Sequence, residues 1–562
     1  MKTPFWIFKV NALNAVNAET VLYFANGEYI DAALNYYQIR ILQPSLINVS
    51  PNDGGLLPLF GESSIGEVEL ANIDGQLDFL ADYALDGRQA TLWQVNHGVE
   101  TLQFTGTIGR MTERGNSIFF ALKALTESLA NNHPLGDPYA GDNVLPLGLE
   151  GTDDDIGGKI KPRVYGDCRN VSPIPVNTAK LIYQASSKND CVITAVYDEG
   201  VRLTNYKVNG SHAAGTTTIA VDTGAGGISA GAQVMFDSHR TIYTVSTGLS
   251  AGNIVLSMGL EAAIADHSAV EVVNFYTGTG TGATELQSTT VAAAWGSYQG
   301  YLRLANTPAG VITCDAMSVS SGLLHQAGDV LNELATEVSL SVDTASVTAL
   351  NTVGVIGIYV DADISTGELF NKLMRSLVAY YWFDAGVLYC QLLAAPKPVA
   401  DLVIEDFMII EVSREATGIG SNGIPIHGVK IQYDRVETVQ TTVAGSVAVG
   451  RRERLAHQYR EKKLIDGPTK TRYLLSESIT IESHLRKLAD AIAVSTRLKD
   501  IGKVRRDVIS ILCDRSVLPT FAIGQTAQVK KLRLGYENGR NMVIIGFELD
   551  AKKDTLRLRC FG

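Results

Sequence analysis

Apolar and polar positions alternate with a period of two through most of residues 1–130, the signature of half-buried β-strands. VLYFANG followed by EYID reads as a strand, a turn on Asn26-Gly27 and a returning strand. NYYQIRILQP continues the alternation. GEVELANIDGQLDFLADYALDGRQATLWQV reads as a strand, an Asx-rich turn, a short helix from Leu77 to Ala84, a turn on Asp86-Gly87 and another strand. LQFTGTIGRMTERGNSIFFALKAL reads as a hairpin turning on Arg114-Gly115-Asn116. This pattern predicts a compact β-barrel or sandwich with one small helix.

The alternation stops at Gly141–Gln184, which is rich in glycine and proline and holds Glu150, Asp153, Asp154 and Asp155 close together. A loop this long inside a globular chain is uncommon. Isolated apolar residues such as Leu147, Ile160, Val164, Tyr165 and Tyr183 argue against disorder. The segment is expected to be an ordered, extended connector with Tyr165 and Tyr183 largely buried. CVITAVYDEGVRLT then returns to strand character. Residues 205–275 shift towards Gly, Ala, Ser and Thr, with short strands at regular spacing, as in a small inserted β-sandwich or barrel. Residues 326–400 carry helical spacing (Leu369, Leu373, Leu377, Tyr380), with Ser365 or Thr366 placed to cap the second helix.

The last region, 401–562, begins and ends in strands. Between them lie a charged stretch expected to be helical, RRERLAHQYREKK, and a helix with Leu485, Leu488, Ile492 and Leu498 near one face. The organisation read from the sequence is therefore 1–140, a β domain; 141–204, a connector and β region; 205–275, an inserted β domain; 276–325, the continuation of the connector β region; 326–400, a small α/β domain; and 401–562, a second β domain with a helix. The fold class is mainly β and multi-domain.

Composition fits that picture. A chain of 562 residues suggests roughly 3–5 domains. Its apolar share of 46% and charged share of 19% are those of a well-packed soluble protein. A net charge of −12 argues against a general nucleic-acid binder, which needs a basic face. The apolar run near the N-terminus is broken by Lys9 and Asn11, so it is not expected to be a signal peptide.

Candidate chemistry is sparse. The six cysteines (Cys168, Cys191, Cys314, Cys390, Cys513, Cys560) form no CxxC pair, and buried free thiols are preferred over a metal cluster. Cys390 lies among aromatics, where burial disfavours the thiolate a nucleophile needs. His457 and His484 are expected on polar helix faces. GTGTGATE at 278–285 lacks the strand-to-helix setting of a phosphate loop. A solvated acidic turn is preferred over a cation site for Glu150 and Asp153–Asp155, since the EF-hand order is missing. The RRERLAHQYREKK run is read first as a solvated helix face. No catalytic, cofactor-binding or metal residue is assigned, no cofactor is expected, and the chain is not expected to be an enzyme.

Six segments resemble the tail-tip or baseplate hub proteins of long-tailed phages and Mu-like siphophages or prophages. They are GEVELANIDGQLDFLADYALDGR, LQFTGTIGRM, GDNVLPLGLEGTDDDIGGKIKPRVYGDCRNVSPIPVNTAKLIYQ, VITAVYDEGVRLT, GYLRLANTPAGVITCD and NMVIIGFELDAKKDTLRLRCFG. The third is the most specific. The resemblance implies two tail-tube-like β-barrel domains, at 1–130 and 401–562. It also implies a ring that ends the tail tube, joins it to a central spike or fibre and lets DNA pass during ejection without specific binding. The implied partners are other copies of the chain, as a trimer or else a hexamer, with the distal tail ring, tape-measure and central fibre or spike proteins. The implied location is the virion, after synthesis in the bacterial cytoplasm. Iron–sulfur ligation, found in some tail-tip proteins, is not carried over to these scattered cysteines.

Two other readings compete. One is a receptor- or glycan-binding tail protein that uses the inserted module, whose aromatics are Tyr206, Phe236, Tyr243 and Phe275. The other is a tail-associated lysin, for which nucleophile and metal motifs are missing.

Overall fold

A computed structural model describes residues 4–60, 64–125, 129, 137–143, 148–222, 228–237, 239, 241–273, 286, 294–320, 323–324, 326–384 and 386–562. It is mainly β and multi-domain.

The first strand, Phe5–Leu13, pairs with Glu19–Ala25 in a hairpin. Asn14 makes the turn: its Oδ1 accepts from the amides of Val16 and Ala18 at 3.1 and 2.9 Å. Asn26-Gly27, expected to turn a hairpin, instead ends the second strand, where Asn26 Oδ1 accepts from Trp6 N at 2.6 Å. EYID forms only an isolated bridge, Ile30 with Tyr36. The expected helix near Leu77 is a 3-10 turn, Asp78–Asp82. The Arg114-Gly115-Asn116 hairpin is present, joining Val99–Arg114 to Ser117–Ala124, with Gly115 at φ +62°.

These strands form one sheet in the order Gln38–Ile39, Glu19–Ala25, Phe5–Leu13, Gln89–Asn96, Val99–Arg114, Ser117–Ala124, Glu67–Ala71, Ile41–Gln43. Its two end strands are continuous in the chain through Arg40. Arg40 N donates to Ala25 O at 2.9 Å, and Ala71 N donates to Arg40 O at 2.8 Å. One residue thus stitches the two edges together, and the sheet closes into a nearly complete barrel, which removes free edges.

A second sheet has the order Leu402–Ile404, Thr526–Lys531, Tyr536–Asp550, Thr555–Phe561, Val508–Asp514, Ile409–Ala416. Numbered along the chain, its strands lie in the spatial order first, fourth, fifth, sixth, third, second. The first barrel contains the same order in Phe5–Leu13, Ile41–Gln43, Glu67–Ala71, Gln89–Asn96, Val99–Arg114 and Ser117–Ala124. In both, the fifth strand is the longest, at 16 and 15 residues. In both, a 3-10 turn follows the third strand, Asp78–Asp82 and Arg515–Val517. Within the two sets of six, all neighbour pairings are antiparallel except Leu402–Ile404 with Thr526–Lys531, which is parallel.

The two sheets differ in closure. In the first, Glu19–Ala25 fills the space between the first and second strands. In the second, the chain passes from Leu402–Ile404 to Ile409–Ala416 through the 3-10 turn Asp406–Met408, and the result is a half-barrel. The half-barrel also recruits Leu46–Val49 from the N-terminal region, paired antiparallel to the far end of Tyr536–Asp550, with Ile47 opposite Leu549. One apolar core, including Phe8, Phe120, Ile509 and Leu558, runs through both sheets. Fully burying a side chain of this size contributes about 1.5–3 kcal/mol, so the two sheets stabilise each other.

Residues 417–507, between the second and third half-barrel strands, build a unit of their own. Its sheet is Arg460–Ile465, Gly428–Tyr433 and Ser478–Glu482, packed against the helix Leu488–Gly502. Here the charged stretch departs from expectation. The helix Val449–Leu455 stops early, and REKKLI is a strand with an exposed edge. The buried stripe of the longer helix is Ala491, Val494, Ser495, Leu498 and Ile501, while Leu488 is exposed and Leu485 precedes the helix.

Residues 327–392 form the α/β module, with helices Ala327–Glu337, Thr344–Asn351 and Thr366–Leu377 and the strands Ala379–Asp384 and Val387–Leu392. Ser365 caps the third helix, its Oγ accepting from Glu368 N at 3.2 Å. Leu369, Leu373 and Leu377 are buried on that helix, whereas Tyr380 lies in the following strand. The inserted module forms a six-stranded sheet with its own core.

The connector is organised around the strand Arg163–Val171. Residues 144–147, including Leu147, lie outside the described residues. Tyr165 is fully buried, and its hydroxyl donates to Glu337 Oε2 at 2.7 Å, tying the strand to the first helix of the α/β module. Tyr183 is half-buried. Gly166 lies opposite Gly357 in the neighbouring strand. A Cβ on Gly166 would sit 2.0 Å from Ile356 O, and one on Gly357 would sit 1.7 Å from Asp167 O. Only two glycines allow this approach. Asn170 reaches the 417–507 unit, its Nδ2 donating to Thr438 O at 2.7 Å. Through this single strand the connector is tied to both the α/β module and the 417–507 unit.

Candidate functional site

Two cavities form where these units meet. The first, about 580 Å³, lies between the connector sheet, the inserted module and the 417–507 unit. Its walls are charged. Arg169 pairs with Asp167 at 2.7 Å and with Asp315 at 3.2 Å. Arg202, just before the inserted module, pairs with that module's Asp237 at 3.1 Å and Glu271 at 3.3 Å. From the third side, Asp434 takes Arg454 at 2.9 Å and Arg486 at 3.0 Å. Arg451 has its guanidinium 3.8 Å from the centre of the Tyr197 ring, and Tyr197 donates to Asp315 at 2.9 Å.

Burial changes the protonation of this cavity. Glu271 is almost fully buried, which pushes its carboxyl up to about 8 despite Arg202. Burial also lowers the imidazole of His239, whose Nδ1 meets Tyr243 Oη at 2.8 Å. Asp315 is held below the usual carboxylate range: burial raises it, but Arg169, Asn170 N and Tyr197 outweigh that. The arrangement clamps units together through crossed ion pairs. Such pairs specify geometry more than they add stability. No nucleophile with an adjacent base is among them.

The second cavity, about 790 Å³, lies between the barrel, the half-barrel and the α/β module. Its lining is largely apolar and aromatic. Trp382 stacks on Tyr389 with ring centres 5.6 Å apart, and Phe521 meets Phe547 edge-on at 5.5 Å. Arg515 crosses it from the half-barrel to Gln103 of the barrel at 3.2 Å.

The residues singled out in the sequence take different places. Glu150 pairs with Lys161 at 2.8 Å and accepts from Ala140 N at 2.9 Å. Asp153, Asp154 and Asp155 are exposed, with Thr152 Oγ1 donating to Asp155 at 2.8 Å. His457 is exposed beyond the end of its helix. His484 is not on a polar helix face. It is buried before the helix begins, its Nδ1 lies 3.0 Å from Gly357 O, and burial lowers its pKa to about 3.

All six cysteines are buried and free. Burial raises the thiol of Cys390 and of the others for which a shift is seen. Among the described residues no three His, Cys, Asp or Glu groups are arranged to hold a metal. Tyr206, Phe236 and Tyr243 are core residues of the inserted module and form no exposed platform. Phe275 and residues 278–285 lie outside the described residues. Sequence reading missed the two cavities, because each draws its walls from segments hundreds of residues apart.

No family model matches the chain, and no curated protein matches its sequence. Solved structures resemble it in part. A tail protein from Neisseria meningitidis MC58 is 10% identical over 66% of this chain and 96% of its own, with a TM-score of 0.28. The 43 kDa tail protein of prophage MuSo2 from Shewanella oneidensis is 11% identical over 66% and 98%, with a TM-score of 0.27. The prophage tail protein gp18 from Listeria monocytogenes EGD-e is 11% identical over 66% and 94%, with a TM-score of 0.26. Likenesses this weak carry no argument on their own.

Proposed function

We propose that this chain is a structural protein of a phage tail tip or baseplate. It forms a hub ring that ends the tail tube, joins it to the central spike or fibre, and gives DNA a passage during ejection. The observation that carries this reading is the repeated six-strand order in the barrel and half-barrel. A chain with two barrel-like units lets a three-fold ring of chains present six such units to a six-fold tube. The sequence resemblance of the connector to hub proteins points the same way. The distal ring, tape-measure and central fibre proteins are the partners this role requires. An acidic chain suits a passage that DNA must traverse without adsorbing, because like charge opposes contact with phosphates.

The test is direct. The chain is expected in purified tail tips, with three-fold density, and its deletion is expected to leave particles without functional tails. Tails that assemble and infect normally without it would sink the proposal. The receptor-binding alternative gains no support from the inserted module, since three of its four aromatics lie in its core or line its buried face.

A further inference from the structure

The barrel and the half-barrel match beyond strand order. Where the second strand meets the third, the pairing shifts between Ile41 and Gln43 in the barrel and between Ile409 and Glu411 in the half-barrel. Where the fifth meets the sixth, Gly109 is skipped in one and Ile545 in the other. These shared bulges align the units residue by residue, so that 111–114 of the barrel correspond to 547–550 of the half-barrel. Leu46–Val49 prolongs the barrel's second strand, with Ile47 opposite Ile65. Its counterpart in the half-barrel is 414–418, where Ala416 stands opposite Val508.

Two such units can be joined in two ways, and the chain makes one of them. The prolonged second strand of the barrel pairs with the fifth strand of the half-barrel, Ile47 opposite Leu549 and Val49 opposite Phe547. The other junction has both halves open. The barrel's fifth strand is paired with Gln89–Asn96 as far as Thr107, and Ile108 bonds to Gly87 and Arg88. From there to Arg114 it is bonded on one side only, by Ser117–Ala124. Arg114 and Ser117 flank the turn, so Met111 and Glu113 direct their backbone groups away from that partner. Ile409–Ala416 is likewise bonded on one side only, by Val508–Asp514. Among the described residues no backbone–backbone hydrogen bond joins the outer side of either segment to another strand.

A one-sided edge templates pairing with another chain, and pairing these two displaces no bond of either sheet. Neither edge is met within the chain, and a second copy carries both units. The internal register, applied between copies, sets Ala416 opposite Glu113 and Gly418 opposite Met111, small residues against long ones. Arg414 and Arg114 also come opposite, each compensated in its own chain, by Asp507 at 3.0 Å and by Glu67 at 3.3 Å.

We infer that the outer edge of the half-barrel's second strand in one copy pairs with the 111–114 edge of the barrel in a second copy, repeating between chains the junction that Leu46–Val49 makes within one. The contact is heterologous, the kind that generates a ring when its rotation closes. The internal junction buries Ile47 and Leu549; the one between chains offers Ala416 and Glu113 in their places and is the weaker of the two. This deepens the proposed hub ring and rests on that reading for its biological setting.

The test is disulfide cross-linking of the full chain, whose native cysteines are all buried. Directly paired residues on antiparallel strands lie about 4.5–5.5 Å apart at Cα, within the span of about 4.4–6.8 Å that a disulfide bridges. Glu113→Cys mixed with Ala416→Cys is expected to give covalent dimers and nothing larger, because each variant supplies one half of the contact. Neither variant alone is expected to give any, and the double variant is expected to give larger species. Met258→Cys, exposed on the inserted module, measures random collision. Glu113→Pro removes an outward N–H at an edge, where proline is tolerated; it is expected to fold and to weaken association in sedimentation about tenfold. Dimers from either single variant overturn the inference, as does a mixture that links no better than Met258→Cys both in solution and in assembled tails. Linking only inside tails supports it equally. If the chain is present in tails and the pair fails to link there, the inference fails and the hub reading survives. If the pair links in the purified chain but the chain is missing from tails, the hub reading fails and the contact stands.

Discussion

Tyr536 donates a 2.6 Å hydrogen bond to the carboxylate of Asp507, a fully buried group at the joint between the 417–507 unit and the half-barrel. Arg414, at 3.0 Å, and Arg505, at 2.9 Å, converge on the same carboxylate. Burial pushes this carboxyl up, but Arg505, Tyr536, Arg540 and Arg414 together hold it below the usual range. Its stabilising contribution is thus present above the unfolded value of about 3.9 and is lost as pH falls through the lower folded value. Asp507→Asn leaves the arginines uncompensated and is expected to cost about 3 kcal/mol. Denaturant unfolding of the variant at neutral pH checks this.

Gly166 and Gly357 face each other where the connector meets the α/β module. A methyl group on Gly357 would fall 1.7 Å from a backbone oxygen, and backbone cannot step aside as a side chain can. Gly357→Ala is expected to cost about 2–3 kcal/mol or more and to raise hydrogen exchange across Gly357–Val360. Calorimetry with exchange mass spectrometry would detect both, and an unchanged melting temperature would contradict the packing described.

Gly166 also shows how far sequence reading reaches. Lys161-Pro162-Arg163-Val164-Tyr165-Gly166 stood out as part of a specific motif, and Tyr165 was expected to be buried. The reason for Gly166 was hidden, because its partner lies almost two hundred residues away. Likewise, alternation marked most barrel strands, yet gave no sign that Leu46–Val49 leaves the barrel for the half-barrel. The charged run 451–463 favours helix locally, yet its last residues enter the strand Arg460–Ile465, because pairing with Gly428–Tyr433 overrides that preference. His484 was misplaced for a similar reason, since the helix starts four residues later than its polar neighbours suggest.

His484 gives a pH prediction. Its folded value of about 3 is far below the unfolded value of about 6.5, so the unfolded chain binds the proton first. The stability it contributes is complete above about 6.5 and falls by up to about 1.4 kcal/mol for each pH unit below that, until the folded value is reached. His484→Gln is expected to shallow the acid-side slope of stability, and its ring signals in the wild type are expected not to titrate between neutral and mildly acidic pH in nuclear magnetic resonance spectra.

Glu271 has the opposite sign. Its folded value of about 8 lies above the unfolded one of about 4.3, so the folded chain holds the proton more tightly across that window. Stability from this group is complete at low pH and is lost as pH rises towards 8. Glu271→Gln is expected to remove that dependence and to stabilise the inserted module by about 1 kcal/mol or more at pH 8. Limited proteolysis of the module across pH would register the change, and a slope identical to the wild type would contradict it.

The pairing of Ile47 with Leu549 sets a timetable for synthesis. Strand Leu46–Val49 leaves the ribosome about 500 residues before its partner exists. At a translation rate of about 5–20 residues per second, it waits roughly half a minute to a minute and a half. Throughout that interval the barrel's core lacks its half-barrel side, and an apolar segment is open to wrong partners. The nascent chain is therefore a natural client for holding chaperones, and its folded yield is expected to fall more steeply with temperature than a chain of locally paired strands would.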